Sequence, residues 1–133
     1  MRWEQARPIA GPLRFSIFVG EQNVPPGIEL DEQDADCIHA IAYDEAGRAI
    51  GTGRLLPDGH IGRMAVVKEW RRRGIGAAIL EALTEEARKR GHTEVVLSAQ
   101  LQALEFYRSH GFAAEGKVYE EAGILHQLMR RRI

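Results

Sequence analysis

Arg71-Arg72-Arg73-Gly74-Ile75-Gly76-Ala77 is the stretch of this chain whose residue types and spacing carry the clearest chemistry. It follows an apolar run, His60 to Val67, and opens a segment whose apolar residues recur at helical spacing. A strand that gives way to a helix through a basic, glycine-containing loop makes an anion site. The first turn of a helix presents backbone N–H groups with no intrahelical partner, and the positive end of the helix dipole lies there. Gly74 and Gly76 let an anion approach the backbone closely and permit the positive φ of an anion-binding nest. The three arginines add charge at the rim. Glycines alone are also met in a plain strand-to-helix turn, and two other phosphate loops fit poorly. A Walker loop ends in Gly-Lys-Ser/Thr, whereas Ala77-Ala78 follow Gly76 here. A dinucleotide fold needs Gly-x-Gly-x-x-Gly after a parallel strand, and here the preceding strands read as antiparallel.

The elements that must position this loop follow from periodicity and turn chemistry. Arg2 to Ala6 reads as a short edge strand, Pro8 as the first turn of a helix with Leu13 and Ile17 on its apolar stripe, and Asn23 to Asp36 as a loop. Cys37–Asp44, Arg48–Leu56 and His60–Val67 are strands separated by turns at Gly47 and Pro57-Asp58-Gly59, hence an antiparallel meander. Ile75, Ala78, Ile79, Ala82, Leu83 and Ala87 give one helix face, with Glu85–Lys89 and Glu86–Arg90 as ion pairs on the other and Gly91 as the stop. Thr93–Ser98 is a buried strand parallel to the third, reached by a right-handed crossover. A second helix spans Leu101 to His110, and strands around Gly116–Tyr119 and Ile124–Met129 turn at Ala122-Gly123. The fold class is α/β (α+β): a mixed, mostly antiparallel central sheet of about seven strands flanked by helices, in a single domain over residues 1–133.

Composition sets the bounds. With 133 residues the chain can bury a core without staples. A net charge of −1 gives no bulk pull toward nucleic acid or an anionic membrane. The Arg130-Arg131-Arg132 tail reads as a solvated end. One cysteine, Cys37, excludes an internal disulfide, argues against a thiolate metal site and reads as a small core residue. Neither a cleavable leader nor a run of the roughly 20 apolar residues that spans a bilayer is seen, so a soluble cytoplasmic protein, monomer or homodimer, is expected.

Several motifs in order resemble one family. Arg71-x-x-Gly74-x-Gly76 is similar to the acyl-CoA signature of the GNAT superfamily of N-acetyltransferases. Met64-Ala65-Val66 resembles the strand whose backbone pairs with the pantetheine arm, and Phe106-Tyr107 before Gly111-Phe112 resembles a later motif whose tyrosine protonates the departing thiolate. Phe18-Val19-x-Glu21-Gln22-x-Val24-Pro25, Gly51-Thr52-Gly53-Arg54-Leu55, Ile61-Gly62-Arg63 and Glu121-Ala122-Gly123-Ile124-x-His126 are similar to the small bacterial ElaA-like branch. The resemblance spans Arg14 to Met129 and implies the GNAT fold. It also implies acetyl-CoA as co-substrate with no metal, held by Met64, Ala65, Val66, the Arg71–Ala77 loop (Arg71, Arg72, Arg73, Gly74, Ile75, Gly76, Ala77), Gln100 and Tyr107. Two departures stand out: Gln100 replaces the superfamily's usual Asn, and Leu125 a frequent Pro.

Acetyl transfer to an amine needs a neutral nitrogen, a polarised carbonyl and a protonated leaving group. A backbone N–H near Val66 would polarise the carbonyl, and Tyr107 would donate the proton unless it only packs the core. Glu21, a bound water or His126 would be the base, with a structural role for His126 as the other reading. Glu29, Asp31 and Asp34, in a segment without basic residues, either line the acceptor site for a cationic amine or form a solvated loop. A silent acyl-CoA-binding sensor on the same fold is the alternative function.

Overall fold

The computed structural model describes residues 2–14 and 35–133. It contains helices α1 (Trp3–Arg14), α2 (Ile75–Lys89) and α3 (Leu104–Ser109). Its strands are β1 (Ile38–Tyr43), β2 (Ala49–Leu55), β3 (His60–Val66), β4 (Glu94–Gln100), β5 (Ala113–Glu121) and β6 (Ile124–Arg132). The strands form one sheet in the order β1-β2-β3-β4-β6-β5. The meander β1-β2-β3 is antiparallel and β4 joins β3 in parallel, the outcome a strand-helix-strand crossover requires. The hairpin of β5 and β6 completes the sheet antiparallel to β4 through β6.

Six strands are present among the described residues rather than seven. The difference is the Arg2–Ala6 stretch, which is not an edge strand: from Trp3 onward it belongs to α1. Ala6, Ala10 and Arg14 are buried at helical spacing, a stripe of small side chains and one arginine against the sheet. Pro8 and Pro12 lie inside the helix, past the first turn expected for Pro8. Each removes one helix hydrogen bond, but Glu4 and Pro8, whose carbonyls lose a partner, are exposed and reach water.

Gly51 and Gly53 on β2 decide how closely α2 can lie. A Cβ at Gly51 would stand 2.8 Å from Ile79 Cδ1, and one at Gly53 would stand 2.9 Å from Ile79 Cγ2 and 3.0 Å from Leu83 Cδ1. The glycines let the helix settle onto the strand, and Ile79, Leu80, Leu83 and Ala87 then bury against Leu55, Ile61, Leu97 and Met129. Cys37 is part of this buried interior. On the wet face Glu86 pairs with Arg90 as expected, but Glu85 pairs with Arg88 instead of Lys89. The arginine run is not a loose end. It completes β6, where Arg130 Nε bonds Glu115 at 2.9 Å and Arg131 Nη1 bonds Glu81 at 3.0 Å.

Along β4 the residues alternate: Val95, Leu97 and Ala99 are buried in the core, while Ser98 is exposed on the other face. The register carries that second face across the sheet. Gln100 lies opposite His126 on β6, and His126 opposite Tyr119 on β5.

Candidate active site

The site starts from an irregularity in β3. Thr52 pairs with Ala65 and Arg54 with Gly62, so Arg63 and Met64 together stand opposite the single residue Gly53. Arg63 takes a positive φ of 49° at this bulge. On the other side β3 pairs with β4 only at His60–Val96 and Ile61–Leu97. From Gly62 onward the strands part, and the β4-facing backbone of β3 has no strand partner among the described residues. Unpaired backbone groups require some partner, and here they border a cavity of about 690 Å³.

At the far end of β3 the basic loop leads into α2. A short 3-10 turn, Lys68–Trp70, comes first. Arg71 Nε donates to the Val66 carbonyl at 3.0 Å, which fastens the start of the loop to the end of the strand. Arg73 lays its guanidinium over the Trp70 ring, 5.1 Å from the centroid, which ties the middle of the loop to the turn before it. Gly74 caps α2 in the left-handed region with φ 82°, no side chain caps the helix, and no acid lies in its first turn. The N-terminal amides therefore meet neither a capping side chain nor an acid that would repel an anion. Gly76 serves differently from expectation. Its φ is not positive, and a Cβ there would make an ordinary van der Waals contact with the Phe106 ring at 3.4 Å, so what it contributes is a stretch of cavity wall without a side chain. The second left-handed residue is Arg72, at φ 63°.

Met64, Ala65, Val66, Arg71, Gly76, Gln100 and Tyr107 all line the cavity. Arg72, Arg73, Gly74, Ile75 and Ala77 do not line it, and Ile75 turns its side chain toward Gly51. The Tyr107 hydroxyl lies 3.8 Å from the Met64 sulfur, and its ring packs edge-on against Phe112. Burial pushes its phenol up to about 12, so it stays protonated across the physiological range.

The opposite wall is polar. His126, nearly buried, has Nδ1 2.8 Å from the Ile124 carbonyl. A carbonyl only accepts, so Nδ1 carries the proton, and in the neutral ring Nε2 offers a lone pair. The His126 ring stacks with Tyr119 at 6.1 Å. Ser98 Oγ bonds the Tyr119 hydroxyl and donates to Glu121 Oε2 at 3.2 Å. Gln102 Nε2 donates to Gln100 Oε1 at 2.5 Å. His60 Nδ1 lies 3.0 Å from Asp58 Oδ1 on the cavity's rim. Arg54 and Arg63 line the β2–β3 side.

Glu21, Glu29, Asp31 and Asp34 lie outside the described residues. Sequence reading missed Ser98 and Tyr119, whose signal was only positional: two hydroxyls at matching parity on the strands either side of β6. Among the described residues no group of three or more His, Cys, Asp or Glu is placed to hold a metal ion. No described helix is long and apolar enough to cross a membrane.

Known proteins share this arrangement. Residues 27–133 match the family described as acetyltransferase (GNAT) domain. The Bacillus subtilis (strain 168) "Uncharacterized N-acetyltransferase YjcF" is 37% identical over 123 residues, covering 90% of this chain and 87% of its own. An acyl-CoA N-acyltransferase from Pseudomonas aeruginosa is 33% identical with a TM-score of 0.82, over 93% of this chain and 88% of that one. Escherichia coli ElaA is 29% identical with a TM-score of 0.84, again over 93% and 88%. A splayed parallel pair, a bulged strand and an uncapped helix N-terminus are thus set in a chain whose sequence and topology agree on one ancestry, and the chain belongs to the GNAT acetyltransferase family.

Proposed function

We propose that the protein moves an acetyl group from acetyl-CoA to a primary amine by direct transfer in a ternary complex. The observation that carries this is the continuous path from the uncapped N-terminus of α2, along the unpaired edge of β3, to the Tyr107 hydroxyl beside Met64. The Arg71–Ala77 loop suits the pyrophosphate and the β3 edge suits the pantetheine amides. A backbone N–H near Val66 holds the thioester oxygen as negative charge develops.

The amine nitrogen attacks the carbonyl carbon, the C–N bond forms and the C–S bond breaks. The amine proton passes to His126 Nε2, and the thiolate takes the Tyr107 proton, leaving amide and free CoA thiol. A phenol that titrates at about 12 first stabilises the developing thiolate as a hydrogen-bond donor. The low-dielectric surroundings that raise the phenol also raise the thiolate's affinity for the proton. Glu21 is the other base in this reading, and Glu29, Asp31 and Asp34 contribute acceptor contacts from the segment between α1 and β1. A cytoplasmic enzyme, monomeric or homodimeric, fits this chemistry.

Thermal unfolding with and without acetyl-CoA tests the donor site. At a hundred times Kd a ligand specific for the folded state adds about 2.7 kcal/mol. A dose-dependent rise absent in Gly74→Trp, followed by thiol release with amines, supports transfer. No shift at saturation sinks the reading, and a shift without turnover of any amine makes the protein a silent binder.

A further inference from the structure

We propose that Glu121, set by Ser98 and Tyr119, is the recognition site for a positive charge on the acceptor, so that the preferred amine carries a second cationic centre. The proposal rests on the transferase reading above and names the acceptor class for that same site. Three observations lead to it. First, Glu121 sits at the end of β5 and lines the cavity, and its Oε2 accepts from Ser98 Oγ at 3.2 Å. Ser98 has one hydroxyl proton, so when it serves Glu121 the Tyr119 hydroxyl donates to Ser98 in turn. The chain of hydroxyls ties β4 to β5 across β6 and fixes the carboxylate. Oε1 receives no hydrogen bond among the described residues.

Second, two other carboxylates on these strands, Glu94 and Glu115, pair with Arg130. Among the described residues no cation pairs with Glu121, although the hydrogen bond from Ser98 orients it. A carboxylate oriented by a neutral donor at a cavity wall is suited to an incoming ammonium. Arg54 and Arg63 lie on the β2–β3 wall with Asp58, which pairs with His60, whereas Glu121 stands on the opposite, β5–β6 side.

Third, spacing separates recognition from chemistry. Tyr119 is directly opposite His126, and Glu121 lies two residues further along β5. Diagonal positions of this kind are about 7–8 Å apart. A carboxylate touching the reacting nitrogen would stabilise its ammonium form and oppose deprotonation. At one diagonal from the proposed base, Glu121 instead holds a different charged group of the same acceptor while the reacting amine faces Nε2.

The test compares two nearly isosteric amines, 1,3-diaminopropane and n-butylamine, by initial rates of thiol release with wild type, Glu121→Gln and Ser98→Ala. The wild type should favour the diamine in kcat/KM. Loss of a charged hydrogen bond should lower the diamine-to-monoamine ratio at least about tenfold in Glu121→Gln, mostly through KM. Ser98→Ala keeps the carboxylate and should lower the ratio about threefold. An unchanged ratio in Glu121→Gln, a wild-type preference for butylamine, or turnover of neither amine while acetyl-CoA still raises the melting temperature each overturns the proposal and leaves donor binding standing. Absence of any acetyl-CoA shift in the wild type overturns the transferase reading, and this proposal with it.

Discussion

Gly53→Ala adds one methyl group where β2, the β3 bulge and α2 meet. The new Cβ would stand 2.9 Å from Ile79 Cγ2, 3.0 Å from Leu83 Cδ1 and 3.1 Å from Met64 Cγ. Ile79 is β-branched and buried in the middle of a helix, so its Cγ2 moves only if χ1 or the helix moves. Insertion of a methylene into a packed interior costs about 1–3 kcal/mol. The lower unfolded-state entropy of alanine returns about 0.4–1 kcal/mol. The two ranges leave a net loss of up to about 2.6 kcal/mol, centred on ~1.3 kcal/mol, which lowers the melting temperature by about 5 °C for a chain of this size. Gly62→Ala is the control on the neighbouring strand. A Cβ there meets nothing within 4 Å and the φ is not positive, so its melting temperature should hold or rise. Differential scanning calorimetry of both variants without ligand decides. A Gly53→Ala protein as stable as wild type, or a Gly62→Ala protein as destabilised as Gly53→Ala, would refute the claim that glycine on β2 sets the approach of α2. The displaced Met64 adds a second readout, because its sulfur faces the Tyr107 hydroxyl. The variant should also lose kcat, beyond the loss of stability.

Tyr107→Phe should lower kcat by about 10²–10⁴ if the hydroxyl is the general acid, with little change in acetyl-CoA binding. The same variant tests the raised phenol by stability. The folded pKa of about 12 lies above the ordinary 10, so the folded state holds the proton more tightly. That stabilisation is fully present below pH 10 and is lost as pH climbs toward 12, at most about 2.7 kcal/mol for two units. Wild type should therefore lose melting temperature faster than Tyr107→Phe over that window, and parallel curves would contradict the burial argument. His126→Ala should cut kcat by about 10²–10⁴ at neutral pH while acetyl-CoA still stabilises the protein; a full rate would transfer the base role to Glu21 or water.

The sequence made the meander, the crossover helix and the parallel β4 legible because each is signalled locally: Pro57-Asp58-Gly59 turns the chain, Gly91 stops α2, and apolar residues change period between them. It misled at the N-terminus. Two prolines within five residues argue against a helix on propensity, yet the stripe of Ala6, Ala10 and Arg14 is tertiary information, visible only once the sheet it packs on exists. The donor loop was legible for the same reason the meander was, since a helix N-terminus with glycines is a local device. The two glycines nevertheless act differently: Gly74 takes the left-handed conformation, and Gly76, with no positive φ, lines the cavity. The acceptor wall was only partly legible. His126 and Glu121 fell in a recognised motif, but Ser98 and Tyr119 join them through register across three strands, which no local pattern encodes.

The bulge in β3 explains why these parts can work together. An extra residue in one strand increases local twist and bends it. Here the bend falls at Arg63–Met64, immediately beyond the last parallel pair with β4 at Ile61–Leu97. A regular β3 would continue to pair with β4 through Val66, and its amides would be consumed by the ladder. The bulge instead releases that edge and brings Met64 to Tyr107, while β4 stays paired to β6 along its full length and carries the polar wall. In the proposed reaction one strand serves the donor and its parallel neighbour the acceptor, with the opening between them as the place where the two would meet. Gly53 stands opposite the bulge and under α2, so the residue that permits close helix packing also borders the distortion that opens the cleft. Stability and catalysis are for that reason expected to fail together at Gly53 and separately at Tyr107, where the hydroxyl can be removed while the ring still packs against Phe112.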